Sequence, residues 1–387
     1  MEAPANPFDR QLLFDHPDPY PIFRMLRQSQ PVFATQHLGR PTFLLTTYDD
    51  CLMALKDAET YSSRSNAEAG QVLGRTVLEM DGREHGRHRA LVQPAFIPKA
   101  LDGLEPLLEE IVHELLDAIA REPRADLVAE FTEHYPVQVS AHLLGIPRAD
   151  HPRYQRWAME LMGFTRGFAR ADAASAEIRS YLLPILAARR TAPRDDIVTR
   201  LVQGTVDGER LSDEDVVSFL RLLIPAGAET TFRLIGNMLV ALLTERDRFE
   251  RVRADRSLVS WAIEETLRWE TSIVMLSRET TRPTEVRGVA LPADALVSVV
   301  LGSANRDEAH YERPDEYDLD RRADDHLAFG FGRHHCVGYH LARLEVRVAL
   351  TAILDRLPNL RLDSDAPPPA ITGLAFRSPK RLAVRVG

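Results

Sequence analysis

Phe329-Gly-Phe-Gly-Arg-His-His-Cys-Val-Gly338, running on into Tyr-His-Leu-Ala-Arg-Leu-Glu345, is the most informative stretch of the chain. A single cysteine, Cys336, stands among glycines just ahead of a helical pattern. Gly330, Gly332 and Gly338 admit backbone conformations and close approaches that a side chain would block. Backbone N–H groups at the start of the following helix point towards the Cys336 sulfur and favour its thiolate form. The plainest alternative is a buried cysteine in a glycine-rich turn. Zinc is another, because His334, His335, Cys336 and His340 lie close in sequence. Adjacent His-His-Cys does not easily let four side chains converge, so zinc is set aside.

A thiolate held on such a turn is a good axial ligand for a haem iron. A bulky flat ligand would in turn need an opening elsewhere, and the sequence offers one. Ser212-Asp-Glu-Asp supplies an N-cap and three acids in a first turn, which suits the positive end of a helix dipole. Apolar residues then recur at helical spacing through Val216, Phe219, Leu220, Leu223, Ile224, Leu234, Met238 and Leu242. The spacing predicts one helix to about Thr244, roughly 48 Å long. Inside it lies Ala226-Gly-Ala-Glu-Thr-Thr231. Gly227 costs about 1 kcal/mol relative to Ala in a helix interior, which a flat ligand lying against Ala226 and Gly227 would explain. Glu229 and Thr230 set a carboxylate beside a hydroxyl, a pair that can hold a water and relay protons. A Thr230 hydroxyl bonded back to its own helix is the plainer reading. Pro225 removes one helical hydrogen bond, either to open the helix or as a tolerated kink.

Two further helices fit Ser257 to Trp269 and about Gly338 to Leu357, the latter stopped by Pro358. Strand patterns are short: Thr42–Thr46, Leu296–Leu301 and Leu382–Val386. The expected class is mainly α, an α+β chain with small β-sheets. No segment reads as an interdomain linker, so residues 1–387 are expected to form a single domain.

The 387 residues carry 48 Lys+Arg against 57 Asp+Glu, a net charge of −9, with 44% hydrophobic residues. This composition excludes disorder and a disulfide scaffold. It also makes the chain a poor binder of nucleic-acid phosphates. Two cysteines, Cys51 and Cys336, suggest a reducing, cytoplasmic setting. The opening MEAPANPFDRQLLFDHPDPYP lacks the order of a secretory leader, and no run of apolar residues is long enough for a membrane anchor.

Phe-Gly-x-Gly-x-His-x-Cys-x-Gly followed by Leu-Ala-Arg and Glu resembles the haem-binding loop of the cytochrome P-450 superfamily. The resemblance extends from about Asp18 to the C-terminus. It implies that fold, with haem b (iron protoporphyrin IX) buried between the long helix and the Cys loop. Cys336 would be the iron ligand, with Phe329, Gly330 and Gly338 in the loop around it. Ala226-Gly-Ala-Glu-Thr resembles the family's oxygen-activating helix, which assigns proton delivery to Glu229 and Thr230. Glu265-Thr-Leu-Arg268 resembles the Glu-x-x-Arg helix, with Arg321 as the third member of a structural cluster and Arg322 competing for that place. His85 and Arg89 resemble a His-x-x-x-Arg element that binds haem propionates, and Arg278 and His334 join them as candidates. Arg87 and His88 are read as a solvated basic face. The family often has proline four residues after the Glu-x-x-Arg arginine; this chain has Ser272.

By that resemblance the chain is a soluble bacterial-type monooxygenase. It would insert one atom of dioxygen into a small hydrophobic substrate, by C–H hydroxylation or epoxidation. No flavin, nicotinamide or iron–sulfur fingerprint is visible, so electrons would come from a ferredoxin-type donor with its reductase. His340, Arg343 and Arg347 could meet that partner, or pair internally. The substrate lining is expected around Ser65–Val77, Leu223, Ala226, Ile273–Leu276 and Gly373–Phe376. A peroxide-driven peroxygenase and a haem sensor or carrier are the rival readings, and the acid–alcohol pair argues against both.

Overall fold

The computed structural model describes residues 18–37, 39–162, 167–194 and 196–387. The expectation about a leader concerns residues 1–21, of which 1–17 lie outside these. The chain divides into two compact units, one formed by Met1–Ser65, Gly236–Cys336 and Arg361–Val384, the other by Asn66–Ile235, Val337–Leu360 and Arg385–Gly387.

The first unit is built on a five-stranded sheet, in the order Val32–His37, Arg40–Leu45, Leu296–Val299, Leu276–Thr280 and Tyr61–Ser62. The second and third strands run parallel and the other neighbours antiparallel. Alternation along these strands sends Phe43, Leu45, Val297 and Val299 into one cluster with Cys51, Ala54 and Leu55 of the helix Tyr48–Lys56. Cys51 is fully buried and donates to the Leu45 carbonyl at 3.1 Å. Burial pushes its thiol well above the ordinary range. It is a core residue, a small apolar side chain among its neighbours. The strand expected over Leu296–Leu301 is shorter, because Leu301 already begins a one-turn helix to Ala304.

The segment after the Glu-x-x-Arg helix, Leu258–Trp269, follows a defined path without the proline. Val274 N donates to Ala375 O at 2.8 Å, Arg377 N donates to Ser272 O at 3.1 Å, and Ile273 bridges to Phe376. Arg377 Nε also donates to the buried Glu270 carboxylate at 2.7 Å, where Tyr20 donates at 2.6 Å. These bonds do the work that a rigid proline turn would otherwise do.

The second unit is helical. It contains Gly82–Val92, Glu105–Ile119, Tyr135–Leu143, Phe168–Thr191 and Tyr339–Arg356, with the long helix as far as Ile235. That helix spans Asp213–Thr244, 32 residues, and continues through Pro225 without interruption. Ser212 caps it: Asp215 N donates to Ser212 Oγ at 3.1 Å while Ser212 N and Oγ donate to the Asp215 carboxylate. This is a reciprocal capping box with aspartate in the third position. Val216, Phe219, Leu220, Ile224 and Ala228 form one buried face with Trp157, Leu182 and Leu341. Burying each such leucine contributes about 1.5–3 kcal/mol. Among the described residues, no helix is long and apolar enough to cross a membrane.

Candidate functional site

In the first unit, the Cys loop is shaped by two glycines in the left-handed region, Gly330 at φ +68° and Gly332 at φ +71°. A Cβ at Gly332 would stand 2.5 Å from the Leu55 carbonyl oxygen, so only glycine fits beneath that helix end. Gly338 differs from expectation. Its φ of −89° is open to any residue, and a Cβ there would touch nothing within 4 Å. It serves as the N-cap of Tyr339–Arg356, where the chain needs no special torsion. Gly330 N donates to Leu327 O at 2.8 Å, and Cys336 N donates to Phe329 O at 2.9 Å, closing the loop. Cys336 is half-buried, in contrast to the sealed Cys51. His334 lies in the short 3-10 turn Gly332–His334 and is half-buried, as is Phe329. Arg278 is buried on the strand Leu276–Thr280 opposite Val297, and its Nη1 donates to Ser277 O at 2.8 Å.

The loop is anchored from below. Glu265 and Arg268 are completely buried and paired through two bonds of 2.7 and 2.8 Å. Arg321 completes the cluster at 3.2 Å from Glu265. Arg322, its competitor, instead stacks on Trp261 at 4.4 Å. Arg268 Nη1 donates to the Asn305 carbonyl at 3.0 Å, and the Asn305 side chain accepts from Leu327 N at 2.7 Å. Through Leu327 the cluster is connected to the bond that orients Gly330. Asn305 belongs to the Ala-Asn-Arg-Asp run at 304–307, a family-like match to which sequence reasoning assigned no bonding role.

In the second unit, Ala226 is exposed in mid-helix while Ile224 and Ala228 on either side are buried. A Cβ at Gly227 would meet only Ser140 Cβ, at 3.8 Å. Thr230 Oγ1 donates to Ala226 O at 3.0 Å, the plainer of its two expected roles. Glu229 is buried and ion-paired with Arg233 at 2.6 Å. That partner, four residues on, was readable from helical spacing and was not foreseen. His85 is buried and Arg89 half-buried, one turn apart on Gly82–Val92. The neighbouring Arg87 and His88 are not a solvated face. Arg87 pairs with Asp207, and the His88 ring stacks on buried Phe219 at 6.1 Å.

The docking candidates are reduced. Arg347 forms a two-pronged pair with Glu105, at 2.9 and 3.0 Å. Burial and nearby Arg343 push His340 below the usual histidine range, which disfavours its charged form. Arg343 lies over the Tyr339 ring. Among the described residues, no three His, Cys, Asp or Glu side chains gather where a metal ion could sit.

The residues present fit a haem. An accessible cysteine stands on a glycine turn, buried or half-buried cations suit propionates, and mid-helix Ala226 is open to a flat ligand. The sequence model of the cytochrome P-450 family matches residues 10–144 and 129–383. The chain belongs to the cytochrome P-450 family. It is 36% identical over 352 residues to cyclomarin C epoxidase CymV of Salinispora arenicola, covering 88% of this chain and 89% of that one. It is 35% identical over 373 residues to the cytochrome P-450 monooxygenase PikC of Streptomyces venezuelae, covering 92% and 89%. The crystal structure of CYP109E1 of Bacillus megaterium in complex with testosterone superposes with a TM-score of 0.87 at 30% identity, covering 96% and 99%. This P-450 is therefore a haem-dependent monooxygenase of small organic substrates that takes electrons from a redox partner.

Proposed function

We propose that Cys336 is the thiolate ligand of this P-450, that Phe329, Gly330 and Gly338 shape its surroundings, and that Ala226 and Gly227 give the haem its face on the long helix. His85, Arg89, Arg278 and His334 hold the propionates, since imidazole and guanidinium are natural partners for carboxylates. The bound haem supplies dioxygen activation and transfer of one oxygen atom to the substrate.

The chain's own residues manage protons. Thr230 presents a hydroxyl on the open face of the helix, anchored by its bond to Ala226 O. Glu229 carries a proton when its carboxylate leaves Arg233, and Thr230 orients the water that receives it. The observation that carries this reading is the half-buried Cys336 on a glycine turn anchored by the Glu265–Arg268–Arg321 cluster. We assign the whole chain to one working domain in the cytoplasm. The electron donor is a ferredoxin-type protein with its reductase. The substrate is hydrophobic, of the polyketide or steroid kind suggested by the relatives, or a terpenoid or fatty acid of similar polarity. Its contacts include half-buried Leu223 and the Ile273–Phe376 bridge.

The reduced carbon-monoxide difference spectrum tests the ligand. Wild type shows the red-shifted thiolate band and Cys336→Ser loses it. Retention of that band by the variant overturns the assignment. For Thr230→Ala, the expected result is continued electron consumption with less product per electron; unchanged coupling removes the proton role.

A further inference from the structure

Apart from the haem chemistry, the second unit carries a groove of about 560 Å³ alongside the helix Phe168–Thr191. Among the described residues its lining includes Arg153, Arg189 and Arg194 and no acidic residue, Asp196 lying behind Arg189, in a chain with nine more acids than bases. The volume lies in the range of small-molecule sites. We propose that this groove binds a small flat organic anion carrying a phosphate or carboxylate group.

Three observations point that way. Arg189 is 6% exposed, and its Nε bonds Asp196 at 2.7 Å. Among the described residues that guanidinium makes no other hydrogen bond, so its terminal nitrogens remain as donors in the lining. Arg194 is exposed, and its side chain makes no ion pair or hydrogen bond among the described residues. Arg153 is held ready in another way. Its guanidinium lies 4.6 Å from the Trp157 ring and 5.4 Å from the Tyr181 ring, which fixes a planar cation at the wall at little further cost in side-chain entropy. Its nearest acid, Glu177, is 3.9 Å away and already engaged by Arg156 and Trp157.

The rest of the lining suits a flat apolar body. Tyr181 and Pro184 form part of the wall. Pro184 stands in the interior of that helix, a position that costs about 3 kcal/mol. It leaves the Ser180 carbonyl without its usual helical partner, beside the groove. Three cations with an apolar wall select a ligand that is charged at one end and planar at the other. A bare inorganic anion would use only part of the site.

The test uses the haem-loaded full chain and 4-methylumbelliferyl phosphate, followed by fluorescence anisotropy at low salt. Saturable binding that weakens as sodium chloride is added is expected. Neutral 4-methylumbelliferone and inorganic phosphate should each bind at least about tenfold more weakly, because each lacks half of the recognised features. The double variant Arg153→Gln, Arg194→Gln should lose about tenfold or more in affinity for the same reason. Both side chains are on the surface, so haem content and circular dichroism should match wild type and show that the variant is folded. Absence of wild-type binding, or equal binding by the double variant, overturns the proposal. A shift of the haem absorption band that tracks probe binding also overturns it, since the probe would then be at the haem.

Discussion

Replacing Arg268 by lysine keeps the positive charge and tests whether geometry or charge anchors the Cys loop. The Arg268 guanidinium uses all five of its N–H groups. Two go to the Glu265 carboxylate at 2.7 and 2.8 Å, and three to the carbonyls of Asn305, Pro314 and Glu316 at 3.0, 2.7 and 3.0 Å. An ammonium has three N–H groups and cannot reach in this fork geometry. At least two of the five hydrogen bonds are therefore lost at a site where the arginine side chain is 0% exposed. Each lost hydrogen bond to a charged group costs about 1.5–3 kcal/mol, so Arg268→Lys should lose about 3–6 kcal/mol. That is a large share of the roughly 5–15 kcal/mol that stabilises a domain. Urea unfolding of the haem-loaded protein, read at the haem band and by circular dichroism, measures it. The Asn305–Leu327 bond passes the disturbance to the loop, so the thiolate-type carbon-monoxide band should also decay faster. A lysine variant with the wild-type urea midpoint and a stable band would refute the reasoning, because charge alone would then suffice.

Gly332→Ala should fold poorly around the loop. Its Cβ would lie 2.5 Å from the Leu55 carbonyl oxygen in a left-handed torsion, and torsion alone costs about 1–2 kcal/mol; haem content after purification checks it. Glu345→Gln should stabilise the protein at neutral pH. Glu345 is 2% exposed, its Oε2 has no hydrogen-bond partner among the described residues, and burial raises its carboxyl well above the usual range. A folded pKa above the unfolded value means that wild type loses stability as pH rises past roughly 4.3, the ordinary glutamate value. The glutamine variant has no such loss, so its advantage in melting temperature should grow from pH 4 to pH 8; a constant difference would contradict this. Arg347→Glu should leave the electron-transfer rate and its salt dependence unchanged, because that side chain is occupied by Glu105. Its cost in stability should not exceed about 1 kcal/mol plus local repulsion, since both partners are about two-fifths exposed.

Much of the site was readable because its determinants are local. The glycines at 330 and 332, the cysteine at 336 and the cap at Ser212 act within a few residues of chain, and spacing reports them directly. The long helix was legible for the same reason: apolar residues at every third or fourth position define a face before any partner is known. Gly338 shows the limit of reading composition alone, since glycine there has an ordinary torsion. The tertiary structure decided what spacing cannot express. It gave Glu265 to Arg321 rather than to the adjacent Arg322, bound Arg347 to Glu105 across 242 positions, and joined Asn305 to Leu327. Each choice is between groups of identical chemistry or great separation, and packing makes it by bringing only one of them within hydrogen-bonding distance. Sequence alone therefore determined the family, the iron ligand expected of it and the helical frame. Three-dimensional contact determined which charges are occupied in support of that frame and which remain available in the arginine groove.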